Sequence, residues 1–106
     1  MPPLKAFIDT DAIGEFCRRW NVTELSLFGS ALRDDFGPDS DVDVLVTFAA
    51  DARPTLFDMV HMKEQLEAIL GHSVDLVSRG GVEQSRNYLR RRAILSSAEP
   101  IYHVER

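Results

Sequence analysis

Apolar positions along this chain recur with two periods, one typical of helices and one typical of strands. Four apolar side chains between residues 11 and 20 are spaced by three and four positions: Ile13, Phe16, Cys17 and Trp20. This spacing predicts a helix with one buried stripe, which Asp9 or Thr10 can cap. A longer stretch that opens at Pro54 and stops at Gly71 follows the same rule and predicts a second helix.

Alternation of apolar and polar residues marks the strands. The clearest case is residues 41–48, which are rich in β-branched side chains. Further strands are predicted over residues 24–28, 73–77 and 100–104. Helices are predicted over residues 30–33 and, after a break at Gly80-Gly81, over residues 82–92. In this order the elements predict an α/β or α+β domain, with a mixed sheet and helices packed on one of its faces.

The size and charge of the chain limit the classes of function. Its 106 residues suit one domain spanning residues 1–106, and a hydrophobic content of 44% can fill one core. Seventeen acidic and twelve basic residues give a net charge of −5, which argues against a nucleic-acid polymer as the main ligand. A single cysteine, a start unlike a signal peptide and the lack of a long apolar run lead us to expect a cytoplasmic protein without a membrane segment.

Three aspartates are the first group of candidate functional residues. Asp41 and Asp43 lie two residues apart on a predicted strand, so their side chains project to the same face. Neighbouring carboxylates repel each other, but Mg²⁺ reverses that balance because it prefers carboxylate and phosphate oxygens. Asp75 interrupts an otherwise apolar strand, which costs stability unless it faces solvent or a metal. The three acids together indicate a site for two magnesium ions that promote an in-line displacement.

The turn at Gly29-Ser30 is the second group. Glycine lets the backbone turn sharply and lets a ligand approach closely. The amides that follow, together with the Ser30 hydroxyl, are suited to binding phosphate oxygens, and Arg33 lies one helical turn further on. Each signal alone is weak, because a lone Gly-Ser is an ordinary turn and a lone Asp-x-Asp is usually surface charge. In combination they predict a triphosphate site beside a metal site.

A resemblance to a known superfamily lies in residues 27–33, Leu-Phe-Gly-Ser-Ala-Leu-Arg, and residues 39–46, Asp-Ser-Asp-Val-Asp-Val-Leu-Val. These segments are similar to the signature of the DNA-polymerase-β-like nucleotidyltransferases, and most closely to the minimal nucleotidyltransferases. The resemblance implies a palm-like domain and an enzyme that uses ATP. It implies that three residues are catalytic and bind Mg²⁺, namely Asp41, Asp43 and Asp75. It further implies that three residues bind the triphosphate, namely Gly29, Ser30 and Arg33.

The resemblance also implies a partner. Minimal members of the family are typically paired with a helical HEPN ribonuclease toxin, and similar antitoxins transfer AMP to a tyrosine of that toxin. Two alternatives stay open: an antitoxin that neutralises its partner by binding alone, and an enzyme that modifies a small molecule. The chain departs from the family pattern at Asp34 and Asp35, where a glycine often follows the arginine, and these extra acids are expected to affect nucleotide binding.

A basic patch at Arg90-Arg91-Arg92, with Arg86 and Arg79 nearby, stands out in this acidic chain. It suits an acidic partner surface, RNA or the triphosphate. An equally good interpretation is that these cations lie toward the C-terminus of a helix, where the helix dipole favours positive charge.

Overall fold

A mixed sheet of four strands forms the centre of the structure, a computed structural model that describes residues 8–33, 37 and 39–104. The strands are β1 (Val22–Phe28), β2 (Val42–Phe48), β3 (Val74–Ser78) and β4 (Glu99–His103). Their order across the sheet is β3-β2-β1-β4. Strand β3 runs parallel to β2, and the other neighbouring pairs are antiparallel. The predicted strands and the α+β class are confirmed, with small shifts at the strand ends.

Two helices cover one face of this sheet. Helix α1 (Thr10–Arg19) is capped by Asp9, whose carboxylate accepts hydrogen bonds from two amides of the first turn. Helix α2 (Leu56–Leu70) starts with a reciprocal capping box between Thr55 and Asp58. It ends at Gly71, whose φ of 72° lies in the left-handed region. Local chemistry thus sets both helix boundaries.

The main core lies between these helices and the sheet. Every second residue of β2 contributes to it, and these side chains are completely buried: Val42, Val44 and Val46. The predicted stripe of α1 is buried at Ile13, Phe16 and Cys17. Trp20 is partly buried and donates from Nε1 to the side-chain Oε1 atom of Gln65 at 2.9 Å. None of the helices in the described segments has both the length and the apolar content needed to cross a membrane.

A smaller apolar cluster lies against the opposite face, because Leu45 alternates with the core valines of β2. It contains Phe28, Leu45, Val82 and Ile94. The last two belong to a pair of short helices, α3 (Arg79–Glu83) and α4 (Tyr88–Ser97).

The prediction of one helix over residues 82–92 is therefore wrong. Ser78 caps α3 by accepting a hydrogen bond from the Gly81 amide, so the expected break at Gly80-Gly81 falls inside a helix. Asn87 then caps α4 by accepting from the Arg90 amide. The two caps divide the segment because each one satisfies amides at the start of a new helix.

Candidate active site

Two of the candidate acids lie side by side on adjacent strands. In the parallel ladder between β2 and β3, Asp43 is paired with Asp75. Paired residues on neighbouring strands project to the same face of a sheet, and the strands lie about 4.8 Å apart. Asp43 is half-buried and Asp75 is exposed. The structure therefore brings these two carboxyl groups onto one face.

Asp41 lies immediately before β2 and is exposed. The next residue, Val42, donates its amide to the Ser73 carbonyl oxygen at 2.8 Å, so the chains leading into β2 and β3 already pair at this point. Because Asp41 precedes Asp43 by two residues, strand alternation places it on the same face as the paired acids. All three aspartates thus lie at the same end of the sheet.

Gly29 lies against this acidic group at the end of β1. Its φ of 65° lies in the left-handed region, which residues with a side chain rarely adopt. The preceding residue, Phe28, is paired with Asp43. A Cβ atom at position 29 would lie 2.5 Å from the Oδ2 atom of Asp43. Sequence analysis assigned Gly29 to phosphate binding and missed this contact, since no local pattern reports a distance between strands.

The other predicted phosphate ligands are described in part. The backbone of Ser30 lies in a 3₁₀ helix, Gly29–Leu32, while its side chain lies outside the described part of the structure. Arg33 follows this helix directly and is exposed. Asp34 and Asp35 also lie outside the described residues. The phosphate-binding role of this segment stays a prediction.

The aspartates on this face of the sheet offer carboxylate oxygens, which are the ligands that Mg²⁺ prefers. Across residues 8–33, 37 and 39–104, no three His, Cys, Asp or Glu side chains lie close enough together to hold an ion. Neighbouring carboxylates repel each other, and a cation would offset that repulsion. The donor chemistry therefore fits Mg²⁺, and metal binding by Asp41, Asp43 and Asp75 stays a prediction.

Along β2 and β3, the face that carries the acids continues with apolar residues and then ends in a polar cluster. Leu45 and Val77 come two residues further along β2 and β3 and belong to the cluster beneath α3 and α4. At the far end Arg79 donates from Nε to the Thr47 hydroxyl at 3.0 Å and lies 3.7 Å from the Glu24 carboxylate. Sequence analysis grouped Arg79 with the basic patch, whereas the structure places it in this polar cluster.

The basic patch lies in the N-terminal half of its helix. Arg90, Arg91 and Arg92 are the third, fourth and fifth residues of the ten in α4, and the last turn of that helix contains no basic residue. The interpretation that the helix C-terminus favours these cations is therefore wrong, because the dipole disfavours positive charge near an N-terminus. The error follows from placing the end of the helix at Arg92, five residues before its observed end at Ser97.

The chain is similar to known proteins over most of its length. A family model described as a nucleotidyltransferase domain matches residues 10–99. Over 69 residues the chain is 41% identical to the protein adenylyltransferase MntA of Thermococcus cleftensis, and this match covers 65% of the chain and 68% of the relative.

Solved structures show the same fold. A structure assigned to the minimal nucleotidyltransferases superimposes with a TM-score of 0.70 at 32% identity, covering 94% of this chain and 97% of the other. A crystal structure of a toxin–antitoxin with AMP-PNP gives a TM-score of 0.68 at 20% identity, covering 92% of this chain and 76% of the other. The second similarity is one of fold.

Proposed function

This chain belongs to the family of nucleotidyltransferase domains and is similar across nearly its whole length to a minimal nucleotidyltransferase, and from this we propose that it is a protein adenylyltransferase that acts as an antitoxin. The nucleotide substrate is ATP, the transferred group is AMP, and the acceptor is a tyrosine hydroxyl of a HEPN-type helical toxin. The adenylyltransferase named MntA, the relative at 41% identity, supports the reaction. The toxin–antitoxin neighbour supports the biological setting through its fold.

The observation that supports catalysis best is the pairing of Asp43 with Asp75 at the end of the sheet where Gly29 turns. In the proposed reaction the acceptor oxygen forms a bond to the α-phosphorus. The bond between the α-phosphorus and the oxygen that bridges it to the β-phosphate breaks, and pyrophosphate leaves with that oxygen. Magnesium, when bound, supplies charge neutralisation of the phosphates. The three aspartates hold that charge in place, and Asp75 accepts the acceptor's proton. The turn after Gly29, with Arg33, holds the triphosphate tail.

The burial of the acids suits their separate roles. Asp43 is half-buried and lies against the Gly29 backbone, which suits a residue that fixes the geometry of the site. Asp75 is exposed on an edge strand and is open to an incoming protein hydroxyl.

The test is a transfer assay read by intact mass. The purified chain is incubated with Mg²⁺, ATP and the proposed HEPN-type partner, and the acceptor should gain mass in AMP units. Asp43→Asn and Asp75→Asn should each reduce the rate at least about 100-fold, since each removes a charge that the transition state needs. Asp51→Asn, which changes an exposed turn residue beyond the opposite end of β2 from Asp41 and Asp43, is the matched control.

Other outcomes point to the alternatives. If the double variant D41N/D43N still inhibits the toxin and the toxin's mass never changes, neutralisation is by binding alone. If no protein gains mass while pyrophosphate is released in the presence of a small hydroxylated acceptor, the substrate is a small molecule. Chelation of Mg²⁺ that leaves the rate of AMP transfer unchanged would contradict the role given to the aspartates.

A further inference from the structure

A cavity of about 360 Å³ opens along the outer edge of β3, and we call it the β3 groove. Residues of α2, β3, α3 and α4 line it, including Met59, Val77, Val82, Arg90 and Ile94. Among the described strands β3 is at one end of the sheet and pairs with β2 alone. The groove is therefore apolar at its base and has a cation on its wall.

Exposed apolar side chains lie on the two longer helices that contribute residues to the β3 groove. Within the described residues every large hydrophobic side chain that is more than half exposed comes from α2 or α4: Leu56 (85%), Phe57 (79%), Val60 (52%), Tyr88 (55%) and Leu89 (76%). Leu56 lies three residues before Met59 and four residues before Val60, and residues at these spacings are neighbours on a helix surface. Exposed apolar residues that are concentrated on two helices next to a groove indicate an interaction surface.

The cations of α4 add a charge to this surface. Arg91 is fixed by the fold, since it donates to the carbonyl oxygens of Glu83 and Ser85 and stacks over the ring of Tyr88. Arg90 lines the groove, and no salt bridge joins it to an acid within residues 8–33, 37 and 39–104. The helix dipole disfavours cations at this position. A partner with carboxylates would offset that cost.

The β3 groove adjoins the acidic site. Val77 lies two residues after Asp75 on the same face of β3, so the two side chains are about 7 Å apart along the strand. A protein segment seated in the groove would hold a neighbouring hydroxyl within reach of the carboxylates. Such anchoring lowers the entropic cost of bringing the acceptor to the reacting phosphate.

We propose that the β3 groove binds an amphipathic, acidic segment of the protein acceptor, with apolar anchors in the groove and carboxylates against Arg90. The inference rests on the proposed function for the identity of the acceptor. Nucleic acid fits less well, because the surface is mainly apolar and the chain has a net charge of −5. A second copy of the chain fits less well too, since a two-fold contact centred on the groove would bring the Arg90 side chains of both copies together.

The test separates docking from chemistry by measuring binding without nucleotide. Isothermal titration of the HEPN-type protein into the chain gives a Kd for wild type, Arg90→Glu and Leu89→Ser. Each variant should weaken binding at least about tenfold, as expected for an anchor residue. Arg18→Glu, a charge reversal on exposed Arg18 of α1, is the matched control and should bind like wild type. Circular dichroism confirms that each variant is folded.

Salt dependence gives a second readout. Wild-type affinity should fall as ionic strength rises, because exposed charges are screened, and R90E should lose most of that dependence. In the transfer assay R90E and L89S should raise KM for the acceptor while the Kd for a fluorescent ATP analogue stays unchanged.

The outcomes distinguish this inference from the proposed function. If D43N binds the acceptor like wild type, and R90E does not, the groove is supported even where no AMP transfer is found. If R90E and L89S bind and transfer like wild type, the groove proposal is overturned while transfer stands. It is also overturned if R90E weakens ATP binding instead, or if the variants abolish only a dimer of this chain.

Discussion

Gly29 affects both the backbone conformation at the end of β1 and the position of the Asp43 carboxylate. Its positive φ turns the chain out of β1, and its missing side chain leaves room for the Asp43 carboxylate. Gly71 has a similar φ of 72°, but a Cβ atom there would have no heavy atom within 4 Å. The two glycines therefore separate the effect of backbone strain from the effect of contact with the acid.

Gly29→Ala should cost both stability and activity, whereas Gly71→Ala should cost stability alone. An alanine at positive φ is strained by about 1–2 kcal/mol, so both variants should unfold at lower urea concentration. Only the methyl group at position 29 displaces the Asp43 carboxylate, which should lower AMP transfer at least about 100-fold. Urea denaturation and the mass-based transfer assay measure the two effects. Equal activity of the two variants would contradict the importance of this contact.

The acids illustrate what a sequence reveals about a site. Asp41 and Asp43 could be assigned to one face from their spacing, because strand alternation is a local property. The pairing of Asp43 with Asp75 could not be predicted from spacing, since parallel strands are joined by a crossover whose register depends on how α2 packs. Family resemblance named Asp75, and the register now places it beside Asp43.

At the scale of elements, strands and capped helices were predictable and the segment after β3 was not. Thr55 and Gly71 cap the two ends of helix α2, and both residues can be recognised in the sequence. In residues 79–97 the apolar spacing is weak, and side-chain caps at Ser78 and Asn87 decide where helices begin. Sequence analysis gave more weight to a pair of glycines than to these caps, and it missed the β3 groove as a result.

Glu67 joins the end of α2 to the start of β3. Its carboxylate accepts the Val74 amide at 2.9 Å and lies 3.4 Å from the Lys63 ammonium. The hydrogen bond from Val74, followed by the Lys63 charge, lowers the pKa of Glu67 below the ordinary value of 4.5. Because the folded protein favours the ionised form, Glu67 stabilises the fold above that ordinary value, and this stabilisation is lost as the pH falls through the lowered pKa.

Glu67→Gln should therefore change how stability depends on pH. The free energy of unfolding should be lower than that of wild type at pH 7, and the difference should shrink steadily below about pH 4. Urea denaturation at several pH values measures this difference. Glu64→Gln, at an exposed position of the same helix, provides the comparison. A deficit in E67Q that is the same at pH 7 and pH 3 would mean that packing, and not charge, is responsible.

At the scale of the whole molecule the sheet has two unlike faces. Helices α1 and α2 bury one face in the main core, while the other has acids at one end, a small apolar cluster in the middle and the Arg79 cluster at the far end. This division was predictable in outline, because the valines of β2 alternate with Asp43, Leu45 and Thr47. The covering of the second face by α3 and α4 depends on long-range packing and was not.

Cys17 offers a measure of how firmly the main core holds together. Its side chain is completely buried between α1 and the sheet, and burial raises the pKa of its thiol to about 12. Both effects prevent attack by the thiolate on a disulfide reagent, since the thiolate is the reactive form. Reaction at pH 8 therefore requires the core to open.

Labelling by Ellman's reagent should accordingly be slow in the native protein and rise with urea in parallel with unfolding. In guanidinium chloride the chain's single cysteine should react fully and release one equivalent of thionitrobenzoate from the reagent, which calibrates the signal. If opening is global, G29A and G71A should accelerate labelling in proportion to their loss of stability, and L89S and R90E should not, because they change exposed residues outside the core. Rapid stoichiometric labelling with unchanged circular dichroism would show that α1 detaches locally from the sheet. In that case the main core and the acid-bearing face would be stabilised separately.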